Sequence, residues 1–362
     1  MRVEPERSPS PPADASALVK IASFTGMRAL AWAEDILYAS RGYQLLSCAP
    51  QGSLEWQPVA QFRPPAWRQF TSRIALAHRL VRDGFHALNV LSSGYIIAAV
   101  PGAIITRRPN KTHFEITHKI LRGTRPLHIA STPDGTLYWG EYFDNRDRSE
   151  VFIYGSSDHG ATWSVAYTFP AKAIRHVHNI VHDPWQKCLW ILTGDYEHEC
   201  RILQATCDLR TVEPVLEGNQ QTRAVALIPT PDALYFSSDT PLETNFIYRL
   251  SRSGELAKVA SINGSSIYGC AVGSTLFFST MVEPSSSNAS REVHIYRSDD
   301  AWNWQHCLAW EKDAWPMHYF QYGNAILPDG INHSHLLAVT TIAVRADDQQ
   351  MGLWRVNSSQ PG

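Results

Sequence analysis

Short apolar runs bounded by Gly, Pro, Asp and Asn turn signals recur along the whole chain, and helical periodicity is scarce. That pattern predicts many short antiparallel strands. Each recurring unit opens with a polar or aromatic residue before an apolar strand, turns tightly into a second strand and closes with two more mixed polar and aromatic strands. The clearest unit runs from His128-Ile-Ala-Ser through the turn Pro133-Asp134-Gly135 into Leu137-Tyr-Trp-Gly-Glu141, then Val151-Phe-Ile-Tyr154 and Ser164-Val-Ala-Tyr-Thr168.

Equivalent openings stand at Arg28, His86, His128, His178, Arg223, Tyr268 and Tyr322, separated by 58, 42, 50, 45, 45 and 54 residues. This is the spacing of four-stranded blades, so the pattern predicts an all-β fold: a single β-propeller of about seven blades over residues 17–358. The last unit supplies only about three strands, whereas Leu18-Val-Lys-Ile-Ala-Ser-Phe24 has no preceding partner. The N-terminal strand is therefore expected to complete the last blade, which removes an open sheet edge. Residues 1–16 are polar and proline-rich and are expected to be a disordered tail. The longest insertion, Phe62 to Phe85, carries Arg63, Arg68, Arg73, Arg79 and Arg82, with a short helix expected over residues 71–81.

Composition narrows the function classes. Thirty-two basic against thirty-four acidic residues leave a formal charge of -2, with no general pull toward nucleic acid or anionic lipid. No apolar run approaches the ~20 residues that cross a bilayer, and the first residues do not read as a secretion signal. A cytoplasmic chain with neither nucleic-acid nor membrane partners is expected. The six cysteines are scattered without a CxxC pair, which fits reduced thiols.

Ser156-Ser157-Asp158-His159-Gly160-Ala161-Thr162-Trp163 resembles the Asp-box, S-x-D-x-G-x-T-W, of sialidase-like and other BNR-repeat propellers. Degenerate copies stand at residues 298–304, where the glycine is lost, and more faintly at residues 52–56. The motif explains itself physically: Asp158 can bond amides across a hairpin turn, Gly160 can take positive φ and Trp163 can fill the gap beside the turn. The resemblance implies a folding device and leaves function open, although carbohydrate is a frequent ligand of such propellers. A sialidase would need an arginine triad starting in an Arg-Ile-Pro setting. Arg63-Pro64-Pro65 is the nearest imitation, and no triad follows it.

In an antiparallel blade, the start of the first strand and the end of the second share a rim. This pairs His128 with Glu141, His178 with Asp195 and Arg223 with Asp239, and it brings Arg28, His86 and Tyr268 to the same rim. A polar funnel results, although channel mouths are wet and accept polar residues without chemistry. In Arg175-His176-Val177-His178-Asn179, residues two apart project from one face. His176 and His178 are thus candidate ligands of a divalent metal, completed by His86 or His128 and a carboxylate; hydrogen-bonded structural imidazoles are the alternative.

The arrangement is similar to that of propeller polysaccharide lyases. That likeness implies an enzyme acting on an anionic, uronate-type glycan by β-elimination: Arg223 or Arg28 would neutralise the sugar carboxylate, His128 or His178 would take the C5 proton, and Tyr268 would protonate the leaving oxygen. In a hydrolase, two of Glu141, Asp195 and Asp239 would act instead. Arg28, His86, Arg73 and Arg79 are the candidate substrate-binding residues. The alternatives are a non-catalytic glycan- or protein-binding propeller, and a biosynthetic lyase or cyclase on a small metabolite. A glycan or small molecule in the funnel is the expected partner, and a divalent metal the one cofactor considered.

Overall fold

The computed structural model of the protein describes residues 18–357, and the tail expected over residues 1–16 lies outside them. The described chain is built mainly of strands in antiparallel sheets that follow one another along the sequence in a propeller-like succession. The described residues divide into two compact units, residues 30–224 and residues 18–29 with 225–357.

In the first unit the strands add in chain order: from Arg28–Glu34, which begins at the unit boundary, to Gln57–Gln61, then Ala87–Val90 to Glu115–Lys119, Ala130–Ser131 to Ser164–Phe169, and His176–Asp183 to Val212–Glu217. Burial explains the amino-acid gradient within a sheet. Cys188–Gly194, second in its sheet, is buried at every position and reads as an unbroken run, CLWILTG, whereas the outermost strand Val212–Glu217 is largely solvated and reads VEPVLE. Strands covered on both faces are apolar throughout, and those with a wet face alternate. The third and fourth sheets of this unit pack through Tyr138, Ile153, Val177, Ile180, Leu189, Ile191 and Leu203.

The second unit contains the sheet Ala224–Pro229 to Leu256–Ile262 and one sheet of eight strands. This corrects the expectation of seven separate blades: five sheets stand apart, and most strands of the last two repeats merge into the sixth. Thr275–Val282, buried along all eight residues, outruns the neighbours of its own repeat. Its final residues Met281 and Val282 pair instead with Asn324 and Gly323. Gly323 permits this approach, because a Cβ there would lie 2.9 Å from Lys312 Cδ and 3.3 Å from Val282 Cγ2. In the same sheet the N-terminal strand Leu18–Thr25 pairs antiparallel with Gln350–Val356, from Leu18 opposite Val356 to Thr25 opposite Gln350. The chain thus closes its last sheet with its first strand.

The Asp-box segment is a closed hydrogen-bonded turn. Asp158 Oδ1 accepts from Ser156 Oγ at 2.8 Å and from the Ala161 and Thr162 amides at 3.0 and 2.9 Å, while Oδ2 accepts from Thr162 Oγ1 at 2.6 Å. Against a burial effect that would raise it, the bonds from Thr162, Ser156 and Ala161 hold the Asp158 carboxyl at about 2. Gly160 has φ +79°, and a Cβ there would meet Ile97 Cγ1 at 2.9 Å. Trp163 donates from Nε1 to Thr117 Oγ1 at 3.2 Å. The degenerate copy keeps the mechanism: Asp300 accepts from Ser298 Oγ and from the Trp302 and Asn303 amides, with Ala301 taking positive φ where the glycine is missing.

The insertion forms two short helices, Ala66–Thr71 and Ala75–Val81, in place of the single helix expected over residues 71–81. The break has a local cause. Asp83, buried, accepts from Arg68 Nη1 at 2.8 Å, Thr71 Oγ1 at 2.5 Å and Tyr43 Oη at 2.9 Å, which ends the first helix at Thr71. All six cysteines are free thiols.

Candidate functional site

The strongest polar convergence among the described residues is built at one end of the sheet that starts with His176–Asp183. The register pairs His176 with Gly194 and Val177 with Thr193, then shifts before Asn179 with Leu192. His178 sits in that irregularity, where a bulge re-aims a side chain. Its ring fits only because residue 194 is glycine: a Cβ there would lie 2.6 Å from His178 Cε1 and 3.3 Å from Arg223 Cγ. Asp195 follows immediately, its backbone carbonyl accepting from Gln220 Nε2 at 2.8 Å.

Three side-chain atoms meet here. His176 Nε2 and His178 Nε2 are 3.1 Å apart, and they lie 3.4 and 3.2 Å from Asp195 Oδ1. The other nitrogen of each ring faces a backbone carbonyl: His176 Nδ1 to Phe143 O and His178 Nδ1 to Ala224 O, both at 2.9 Å. A carbonyl oxygen only accepts, so each Nδ1 carries the hydrogen, and a ring in its neutral form turns the Nε2 lone pair toward the other ring and toward the carboxylate. The three atoms are then all acceptors, an arrangement that repels itself unless a positive charge lies among them.

Arginines complete the surroundings. Arg175 Nη1 donates to Asp195 Oδ2 at 3.0 Å while its Nη2 reaches Asp144, and Arg223 Nη2 lies 3.4 Å from Asp195 Oδ1. Both histidines and Asp195 are buried, whereas Arg175, Arg223 and Tyr142 are half-buried and Tyr196 is 48% exposed. The Tyr142 ring lies 4.3 Å from that of His176, and the Arg175 guanidinium sits 5.6 Å from the centre of the Tyr196 ring. Burial pushes His178 down, toward the neutral ring.

The other expected site residues fall elsewhere. Glu141 is buried and occupied: it forms a two-bonded ion pair with Arg122 and accepts the Phe152 amide at 2.9 Å, while burial raises its carboxyl. His128 is half-buried just before its two-residue strand. His86 is tied through Nε2 to Arg82 O at 2.8 Å and is not among the grouped side chains. Arg73 is exposed in the turn between the two short helices, and Arg79 is buried, so the insertion does not present a uniform basic face. In the second unit, Arg28 lies with Tyr268 and Asp329, its guanidinium shifted down by burial and back up by both partners; Asp239 is buried at the end of Ala233–Ser238. Arg175 and Tyr142 carried no assigned role in the sequence reading. The signal for Arg175 was present in the cation directly preceding the His-x-His pair; Tyr142 follows Glu141 at a strand end and had no distinguishing signal.

No family model matches the chain, and no curated protein matches it in sequence. In three dimensions it is similar to a chain in the crystal structure of a mitotic checkpoint complex, with 10% identity and a TM-score of 0.59 over 98% of this chain and 99% of that one. It is also similar to a GH74 enzyme of Niastella koreensis, with 13% identity and a TM-score of 0.54 over 80% of this chain and 46% of that one. The extracellular domain of a one-component system of B. thetaiotaomicron shows 12% identity and a TM-score of 0.59, over 96% and 41%. The chain spans less than half the length of these last two. At such identities the likeness supports a β-propeller fold and nothing finer. No helix among the described residues is long and apolar enough to cross a membrane.

Proposed function

We propose that the protein is a carbohydrate-active propeller that takes an anionic, uronate-type glycan and cleaves it by β-elimination. The observation that carries this reading is the meeting of two half-buried arginines, Arg175 and Arg223, on the single carboxylate of Asp195 beside the half-buried ring of Tyr142. A guanidinium that already grips one carboxylate in this geometry is suited to a second. Pairing with the sugar carboxylate would neutralise it and make the C5 hydrogen more acidic. The buried imidazoles are poorly placed to touch a polysaccharide, so the proton-transfer role moves to Tyr142. As phenolate it takes the C5 proton while the C4–C5 double bond forms and the C4–O bond breaks, and as phenol it returns that proton to the departing oxygen. The Asp-box kinship belongs to the same reading, supported by the Asp158 and Asp300 turns.

One observation favours a second reading, a binding module. The Tyr196 ring is exposed and has both Arg175 and Arg148 against it, at 5.6 and 5.8 Å, a surface on which a sugar ring can stack beside a cation. Incubation with polygalacturonate, alginate and a neutral glucan, followed by ultraviolet absorbance of unsaturated uronate, separates the two. Absorbance growth on the uronates alone, lost in Tyr142→Phe, is the expected result. Binding of the uronates without product would favour the module, and no response to either polymer would overturn both.

A further inference from the structure

We infer that His176, His178 and Asp195 form a binding site for a divalent metal ion of zinc type, whose open position takes an anionic oxygen. Three features of the geometry lead there. The spacing fits: ligands at about 2.0–2.1 Å from a tetrahedral zinc lie roughly 3.3–3.4 Å from one another, against 3.1, 3.2 and 3.4 Å for these three atoms. The tautomers fit as well, because each Nδ1 hydrogen is spent on a backbone carbonyl and each Nε2 lone pair is left inward; this second bond is the usual way a protein orients a ligating imidazole. The carboxylate is fixed from behind by Arg175 at Oδ2, while Oδ1 faces both nitrogens and has the Arg223 guanidinium 3.4 Å away.

The charge balance identifies the remaining ligand. Two neutral imidazoles and one carboxylate leave a divalent ion with net positive charge, and Arg175 and Arg223 add to it beyond the single counter-charge of Asp144. The fourth position therefore selects an anion, a hydroxide or the carboxylate of a ligand, over a neutral donor. The inference stands on the geometry of three atoms and not on the lyase reading, and its readout is metal content and spectroscopy instead of turnover.

The test uses the full chain, stripped with a chelator and titrated with zinc chloride by calorimetry. One ion per chain is expected, with affinity reduced at least a hundredfold in His178→Ala and in Asp195→Asn and unchanged in His294→Ala, which alters the separate pair of His294 with His306. Should a site variant fail to fold, the electron paramagnetic resonance spectrum of the native protein loaded with one copper(II) decides alone: coupling to two imidazole nitrogens is expected. Absence of stoichiometric binding, binding indifferent to these residues, or coupling to fewer than two nitrogens would each overturn the inference and leave a shared proton as the charge between the rings.

Discussion

Asp158 and Asp195 are both aspartates just beyond the end of a strand in the Leu30–Ala224 unit, and both are held charged, yet their neighbourhoods are opposite in kind. Asp158 is surrounded by donors from its own turn, two amides and two hydroxyls within four residues. Nothing further is needed, and the carboxylate is a finished structural bond. Asp195 draws its partners from distant positions, two arginines and two imidazoles, and the imidazoles present lone pairs. A carboxylate satisfied locally closes a turn, whereas one faced by other acceptors is half of an interaction whose second half is a cation.

The contrast is broken or sharpened by substitutions at the two positions. Asp195→Ala strips both arginines of a shared counter-charge and should cost about 3–5 kcal/mol in denaturant unfolding, as removal of one member of a buried ion cluster does, together with all zinc binding. Asp158→Ala removes charge-assisted turn bonds at an exposed position and should cost about 2 kcal/mol while leaving zinc binding intact. If the two variants behaved alike in metal binding, the distinction would fail. Gly194→Ala places a methyl only 2.6 Å from His178 Cε1, so zinc affinity should fall by roughly 10- to 100-fold, the cost of disturbing a ligand's orientation, with a smaller change in stability measured by thermal melting.

The weakest effect is on acid stability. Asp158 titrates near 3.8 when unfolded and at about 2 when folded, so its contribution is complete above 3.8 and is lost as pH falls from 3.8 toward 2. Asp158→Asn should flatten that part of the stability profile, and an unchanged slope would show that the turn bonds are weaker than the geometry implies.

Much of this was legible in the sequence, for identifiable reasons. The short apolar runs, the turn residues between them and their repeat spacing revealed antiparallel four-stranded sheets, and the unpartnered run Leu18 to Phe24 announced the pairing of the N-terminal strand with Gln350–Val356. The joining of the last repeats was hidden, because it depends on two residues of Thr275–Val282 finding Asn324 and Gly323 some forty positions away. At the site, the rule that strand ends share a rim brought His178 to Asp195. It also proposed Glu141, whose sequence setting is the same but whose carboxylate is taken by Arg122, a residue from the preceding loop. Sequence spacing reports which backbone positions meet; it does not report which partner arrives first at a buried charge.

The central claim is that the inner nitrogens of His176 and His178 bear no hydrogen. Long-range proton–nitrogen correlation spectra of the zinc-loaded full chain, labelled with nitrogen-15 at histidine and assigned with His176→Gln and His178→Gln, test it directly. The account predicts that both rings carry their hydrogen on Nδ1 and none on Nε2. A hydrogen on Nε2 of either ring would contradict it and return the pair to an ordinary hydrogen-bonded role.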